Sequence, residues 1–324
     1  MTLTEHSKGI YLDKSSLSFI DDIDSIIFDC DGVLVDITGS YDLTIIKTTK
    51  HVLQTIANID DPLAIDFDII DGFKSTGGFN DEVDLTYASI LSLVAANKLQ
   101  TDQRNFIFQV IANADSTGIK SVEKYIQTQT DISDIIKQLS YPGPHSENLL
   151  YKIFDQLFYG PELYAKLFGK KSSFSENGLI EKDLVIANEN LLNKLQKKFD
   201  SKIAMVTGRG LESVRYSLKN LLDLFDIDNS AFLEDESRDL AKPNPKSLLN
   251  SISGLGSKST LYVGDSMEDF IMAREATKLG SKTTFCGIIG TSKNPSKKLE
   301  LFDKNGAFVV LDSILDLPKL LNLE

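Results

Sequence analysis

Five short apolar runs punctuate the chain: Ser25–Phe28, Lys202–Val206, Thr260–Val263, Thr283–Phe285 and Ala307–Val310. They are rich in Ile and Val, and their lengths suit strands covered on both faces. Helical patterns separate the later runs. After "MVTGRG", apolar residues fall at Leu211, Val214, Leu218, Leu221 and Leu222, the spacing of one helix face. After "YVGDSMED" comes "FIMAREATKLG", which Gly280 stops. Strands alternating with helices in this way predict a parallel α/β sheet of the Rossmann-like kind.

Between the first run and the second the pattern changes to helical periodicity. It is visible in Ile45, Ile46, Val52, Leu53 and Ile56, and again in Val83, Tyr87, Ile90, Leu91 and Val94. Further helices are expected around Asn105–Ala114, Asp131–Leu139 and Ser146–Phe158, with "YPGP" at 141–144 as a punctuating loop. The expectation is a mainly α-helical module inserted into an α/β core. Residues 1–36 would carry the N-terminal segment and first core strand, 37–180 the insertion, and 181–324 the rest of the core.

With 324 residues, 42% of them hydrophobic, the chain can bury a full core. Its formal net charge of −13 argues against general affinity for nucleic acid or anionic membrane, though it permits a local cationic pocket for a small anion. Two cysteines far apart, Cys30 and Cys286, read as core thiols of a reducing compartment. The start, "MTLTEHSKGIYLDK", lacks a basic, apolar leader, and no apolar stretch approaches the ~20 residues of a membrane span, so a cytoplasmic protein is expected. Monomer and homodimer are equally compatible with these features.

Candidate chemistry lies where the strands end. "SIIFDCDGVLVD" delivers Asp29 and Asp31 from an apolar run, and two carboxylates at the end of a buried strand need a partner. The second run ends in Thr207, Gly208 and Arg209, and the third in Asp265 with Asp269 four residues on. Between them "AKPNP" places Lys242 in a rigid, non-helical stretch. In open α/β sheets ligands bind outside the carboxyl ends of strands. Carboxylate oxygens with room for water suit Mg2+, whereas His6, His51 and His145 show no metal-like spacing. Thr207 and the amides that begin the next helix offer donors to an anion, and Lys242 offers a positive charge. Each motif alone is common; the ordered set reads as phosphate plus magnesium.

In order and spacing, "DCDGVLVD", "VTGR", "KPNP" and "GDSMED" resemble the four signature motifs of the haloacid dehalogenase superfamily. The resemblance implies a Rossmann-like core with a cap, here of the helical type that follows the first motif. It implies Asp29 as the nucleophile that forms an aspartyl phosphate, and Asp31 as the acid and base that serves the leaving alcohol and then the attacking water. Asp29, the Asp31 backbone carbonyl and Asp265 would bind Mg2+, with Asp269 as a supporting or alternative ligand. Thr207 and Lys242 would hold the transferring phosphoryl group, flanked by Gly208 and Arg209.

Within the insertion, "DGFKSTGGFNDEVDLT" at 71–86 has a composition suited to a loop that closes over a core site, which makes Lys74, Asn80 and Arg104 candidate specificity residues. Phe154, Phe158 and Tyr159 read as core of the insertion. The expected function is Mg2+-dependent hydrolysis of a small phosphorylated metabolite, such as a sugar phosphate, phosphoglycolate or an amino-alcohol phosphate. The alternatives are a sugar phosphomutase resembling β-phosphoglucomutase and a non-catalytic phosphometabolite-binding relative. A dehalogenase fits less well, because Asp31 is present.

Overall fold

The computed structural model describes residues 3–13, 20–79, 81–144 and 147–323. The chain divides into two compact units, one formed by Met1–Ile37 with Leu184–Glu324 and the other by Thr38–Asp183.

The first unit is built on an eight-stranded sheet. In chain order its strands are β1 (Thr4–Ser7), β2 (Ile10–Leu12), β3 (Ser25–Phe28), β6 (Ile203–Thr207), β7 (Ala231–Phe232), β8 (Thr260–Gly264), β9 (Thr283–Ile288) and β10 (Val309–Leu311). Their spatial order is β1-β2-β10-β9-β8-β3-β6-β7. β10, β9, β8, β3, β6 and β7 run parallel, and β2 joins β10 antiparallel through Val309↔Leu12 and Leu311↔Ile10. The antiparallel hairpin at this edge departs from an all-parallel expectation. Its strands are too short to leave a periodic trace, and its turn uses Gly9 at φ +77°.

Every residue of β3 is buried, because helices cover both faces of the sheet. Ile26 and Phe28 enter one core while Ile27 enters the other, the two-residue alternation of a strand. Met205 and Ala204 part in the same way on β6, and Val263 and Tyr262 on β8. Each of the Ile, Phe, Val and Met side chains contributes about 1.5–3 kcal/mol by leaving water. Because β3, β6 and β8 are parallel, their carboxyl ends lie on one edge, and the residues after those ends are brought together. Cys30 and Cys286 are buried thiols.

The chain leaves this unit after β4 (Val35–Asp36) and returns through β5 (Leu184–Val185), which pair antiparallel. The second unit is helical: α1 (Tyr41–Thr55), α2 (Phe67–Lys74), α3 (Glu82–Leu99), α4 (Gln103–Asn113), α5 (Ile119–Gln127), α6 (Ser133–Leu139) and α7 (Leu149–Phe168). Its own ends meet, with Ser40 Oγ donating to Asp183 Oδ1 at 2.5 Å.

α3 is the central helix, packed by α1, α4, α5 and α7. Buried residues cover all its faces from Val83 to Ala96, as expected of a helix that is apolar all round. α2 and α5 have no counterpart in the periodicity reading. α2 takes Lys74 out of the expected 71–86 loop and makes it the last residue of a helix. Phe154, Phe158 and Tyr159 are buried, with Phe158 stacked on Tyr41 at 4.3 Å. No helix among the described residues is long and apolar enough to cross a membrane.

α7 runs ten residues past its expected end because Gly160 and Pro161 kink it rather than stop it. Gly160, at φ 70° and ψ 174°, occupies a region open essentially to glycine, and a Cβ there would lie 2.3 Å from the Gly178 amide nitrogen. Gly169 ends the helix at φ +63°, and a Cβ there meets nothing within 4 Å. Gly169→Ala should therefore lower stability by about 1 kcal/mol, the cost of a left-handed alanine. Gly160→Ala should cost several times more, with urea unfolding followed by circular dichroism as the measurement. Equal losses would remove the argument from close backbone approach.

Candidate active site

The sheet delivers Asp29 from the end of β3, 6% exposed, with its amide bonded to the Val263 carbonyl at 2.8 Å. The chain then turns at Gly32, φ +70°, where a Cβ would come within 2.5 Å of the Asp265 carboxylate. Only glycine permits that turn to lie against Asp265.

Helices α8 (Glu189–Lys198), α9 (Leu211–Leu218), α10 (Lys246–Gly254), α11 (Met267–Lys278) and α12 (Pro295–Asn305) follow strands of this unit. α11 begins in a capping box: Ser266 Oγ accepts from the Asp269 amide, and Asp269 Oδ2 accepts from the Ser266 amide, both at 3.1 Å. Asp269 Oδ2 also accepts from Ser266 Oγ at 2.8 Å and from the Asp265 amide at 3.1 Å. Its Oδ1 accepts from Tyr262 at 2.7 Å and from Lys242 at 2.7 Å. Asp269 is thus fully buried and bonded through both oxygens.

The Lys242 ammonium reaches Asp29 Oδ1 at 2.8 Å as well, so it bridges two buried carboxylates. Oxygens of Asp29, Asp265 and Asp269 all lie within 4.8 Å of one another, an acidic donor set of the kind a hard divalent cation takes. Asp29 and Asp265 are the members with bonding capacity to offer, since Asp269 is engaged by its neighbours. Thr207 is buried at the end of β6, its hydroxyl accepting from the Arg209 amide at 3.3 Å.

Burial pushes the Asp29 carboxyl up to about 8; Lys242 opposes that shift, while Asp269, Asp31 and Asp265 add to it. Burial works against the Lys242 ammonium too, but Asp269 and then Asp29 override it and hold the lysine charged. Asp269 is lowered despite its own burial, because Lys242 and the Tyr262 and Ser266 hydroxyls stabilise its charge. Two carboxylates sharing one ammonium are therefore driven apart, and Asp29 is the one left protonated when no other cation is near.

Two expectations are corrected here. The amides that begin α9 are not open donors for an anion: Gly210 N donates to Glu234 Oε2 at 2.9 Å and Leu211 N to Asp235 Oδ2 at 2.8 Å. Carboxylates from the loop after β7 already satisfy that helix start. Arg209, expected beside the substrate, is buried inside the core. Its Nε donates to Asp31 Oδ1 at 2.5 Å and its Nη1 to Ser217 Oγ at 2.8 Å. A guanidinium with no exposed surface needs a carboxylate partner, and Asp31 is that partner. Gly208 lies in open space, where a Cβ would meet nothing within 4 Å.

Of the residues expected in the insertion, Lys74 pairs with Glu82 at 3.3 Å, and Arg104 pairs with Asp66 and, at 3.2 Å, with Asp68. Asn80 lies outside the described residues; the N-cap of α3 is Asp81. Sequence reasoning missed Lys298, whose ammonium lies 2.7 Å from Asp265 Oδ2 and which no motif marks.

Residues 177–277 match the family model for haloacid dehalogenase-like hydrolases. Over that segment the core is similar to haloacid dehalogenase-like hydrolases. The matched segment holds Thr207, Lys242, Asp265 and Asp269, and the chain after β3 adds Asp29 and Asp31 from outside it. No curated protein matches the chain. Among solved structures, the phosphatase Tt82 from Thermococcus thioreducens is similar at 20% identity and a TM-score of 0.57, over 87% of this chain and 99% of that one. A haloacid dehalogenase-like protein of unknown function from Agrobacterium tumefaciens is similar at 16% identity and a TM-score of 0.48, over 93% and 98% of the two chains. At 20% identity the likeness to Tt82 is one of fold.

The raised Asp29 carboxyl has a measurable sign. From about pH 4, where an unfolded aspartate ionises, to about pH 8, the native state holds a proton that the unfolded chain has lost, so stability falls as pH rises. Metal-free Asp29→Asn should therefore match wild type near pH 4 and exceed its melting temperature by a margin that grows towards pH 8. A margin independent of pH would show that Asp29 is already ionised.

Proposed function

We propose that the protein is a Mg2+-dependent phosphatase that hydrolyses a small phosphate monoester through an aspartyl phosphate on Asp29. The observation that carries this reading is the Lys242 ammonium joined to Asp29 at 2.8 Å and to Asp269 at 2.7 Å, with Asp265 beside them. The match of residues 177–277 to a hydrolase family model and a phosphatase of the same fold support it.

Mg2+ held by Asp29, Asp265 and the Asp31 backbone carbonyl would supply the charge that keeps Asp29 ionised and gathers phosphate oxygens. Asp29 attacks phosphorus through the carboxylate oxygen that does not accept from Lys242, forming one P–O bond as the bond to the leaving oxygen breaks. Lys242 faces the charge that develops on the equatorial oxygens, and the Thr207 hydroxyl supplies a further donor. Asp31 gives its proton to the departing alkoxide and then takes one from the water that cleaves the aspartyl phosphate. Arg209 holds one oxygen of Asp31 through Nε, so the proton is carried on the other.

The substrate class is a small soluble monoester, a sugar phosphate, phosphoglycolate or an amino-alcohol phosphate. A phosphate-release screen over such compounds should find turnover that chelator removes and Mg2+ restores. Asp29→Asn should abolish it, and Asp31→Asn should lower kcat by about 10²–10⁴. An Asp29→Asn variant with full Mg2+-dependent activity would overturn the reading. Release of an isomeric sugar phosphate in place of free phosphate would turn it into that of a mutase.

A further inference from the structure

Lys298 has no part in the chemistry above, yet it touches the site. From the first turns of α12 its ammonium lies 2.7 Å from Asp265 Oδ2. The same stretch of chain makes a second contact, since Thr291 Oγ1 donates to the Gly32 carbonyl at 2.8 Å. Asp265 is therefore flanked by the Gly32 turn and by Lys298.

The charges can be set against one another. Four carboxyl groups, Asp29, Asp31, Asp265 and Asp269, the first of them protonated without metal, face three cations, Arg209, Lys242 and Lys298, at 2.5 to 2.8 Å. The cations differ in their freedom to move. The Arg209 side chain is 0% exposed and that of Lys242 8%, so parting Arg209 from Asp31 strands a buried guanidinium and withdrawing Lys242 strands two buried carboxyl groups. Lys298 is 17% exposed and Asp265 25%, and a lysine stem is flexible enough to carry its ammonium back to water. It is the cation that can leave at least cost.

We propose that Lys298 is an internal counter-ion of the metal site: it neutralises Asp265 in the metal-free protein and yields that carboxylate when a divalent cation binds. The proposal rests on the reading that Asp265 is a metal ligand. In the metal-free state the ammonium offsets repulsion among carboxylates held within 4.8 Å of one another. A divalent cation entering the same group meets that ammonium at close range, and breaking the ion pair subtracts from the cation's affinity. Lysine and metal are thus alternative ligands of one carboxylate, linked through mutual exclusion.

The test is a Mg2+ titration without substrate, followed by isothermal calorimetry and by thermal shift, on full-length wild type, Lys298→Met and Lys298→Arg, with circular dichroism to verify folding. Removing the charge should tighten Mg2+ binding about tenfold, a modest share of the Coulomb repulsion between a cation and a nearby ammonium. The arginine variant should stay near wild type. The metal-free methionine variant should melt below wild type, and saturating Mg2+ should close that gap. Unchanged or weaker Mg2+ binding by Lys298→Met would overturn the proposal, since it would make Lys298 an orienting partner of Asp265. Absence of Mg2+ binding by wild type itself would overturn the metal reading, and this proposal with it.

Discussion

The core is arranged around one ammonium, that of Lys242, between Asp29 and Asp269. Two carboxyl groups this close and this far from water cannot both ionise cheaply, and the bridging cation keeps Asp269 charged while Asp29 holds a proton until another cation arrives. Its three members come from different elements: the end of β3, the loop before α10, and the first turn of α11. Satisfying the charges therefore requires β3 and β8 to be in register and the loop to be folded across their ends. Loss of the ammonium from such a buried group typically costs about 3–5 kcal/mol, a large part of the stability of an ordinary domain.

Asp269 ties that charge cluster to the backbone. One oxygen serves the lysine and Tyr262, and the other closes the capping box that starts α11 and holds the Asp265 amide. Helix initiation and placement of the neighbouring carboxylate are the same set of bonds. Gly264 is fitted to this arrangement, because a Cβ there would lie 2.5 Å from the Asp269 Cβ. The site's geometry thus follows from how a helix begins, with little left to side-chain rotamers.

Much of this was legible in the sequence for a local reason. β3, β6 and β8 are buried on both faces, so their apolar runs stand out, and Asp29, Thr207 and Asp265 follow directly at their ends. Lys242 stood out through the prolines after it. What the sequence left hidden depends on distant partners. Arg209 meets Asp31 across 178 positions, and the amides of α9 are met by Glu234 and Asp235, 24 positions on. Nothing in the neighbourhood of Lys298 announces that it will meet Asp265. α2 and α5 were missed in the insertion because they are short and flanked by polar residues, and β1 and β2 because a hairpin of such length carries no period.

The insertion begins and ends at a hydrogen bond, Ser40 to Asp183, while β4 and β5 pair where the core chain departs and resumes. For the folding core this makes a long excursion equivalent to a closed loop, and the entropy of closing a loop grows only with the logarithm of its length. Helices in the insertion can lengthen, shorten or be replaced wholesale without shifting the register of β3 against β6. Lineages sharing this sheet can therefore diverge rapidly in one module while the chemistry of the other stands still.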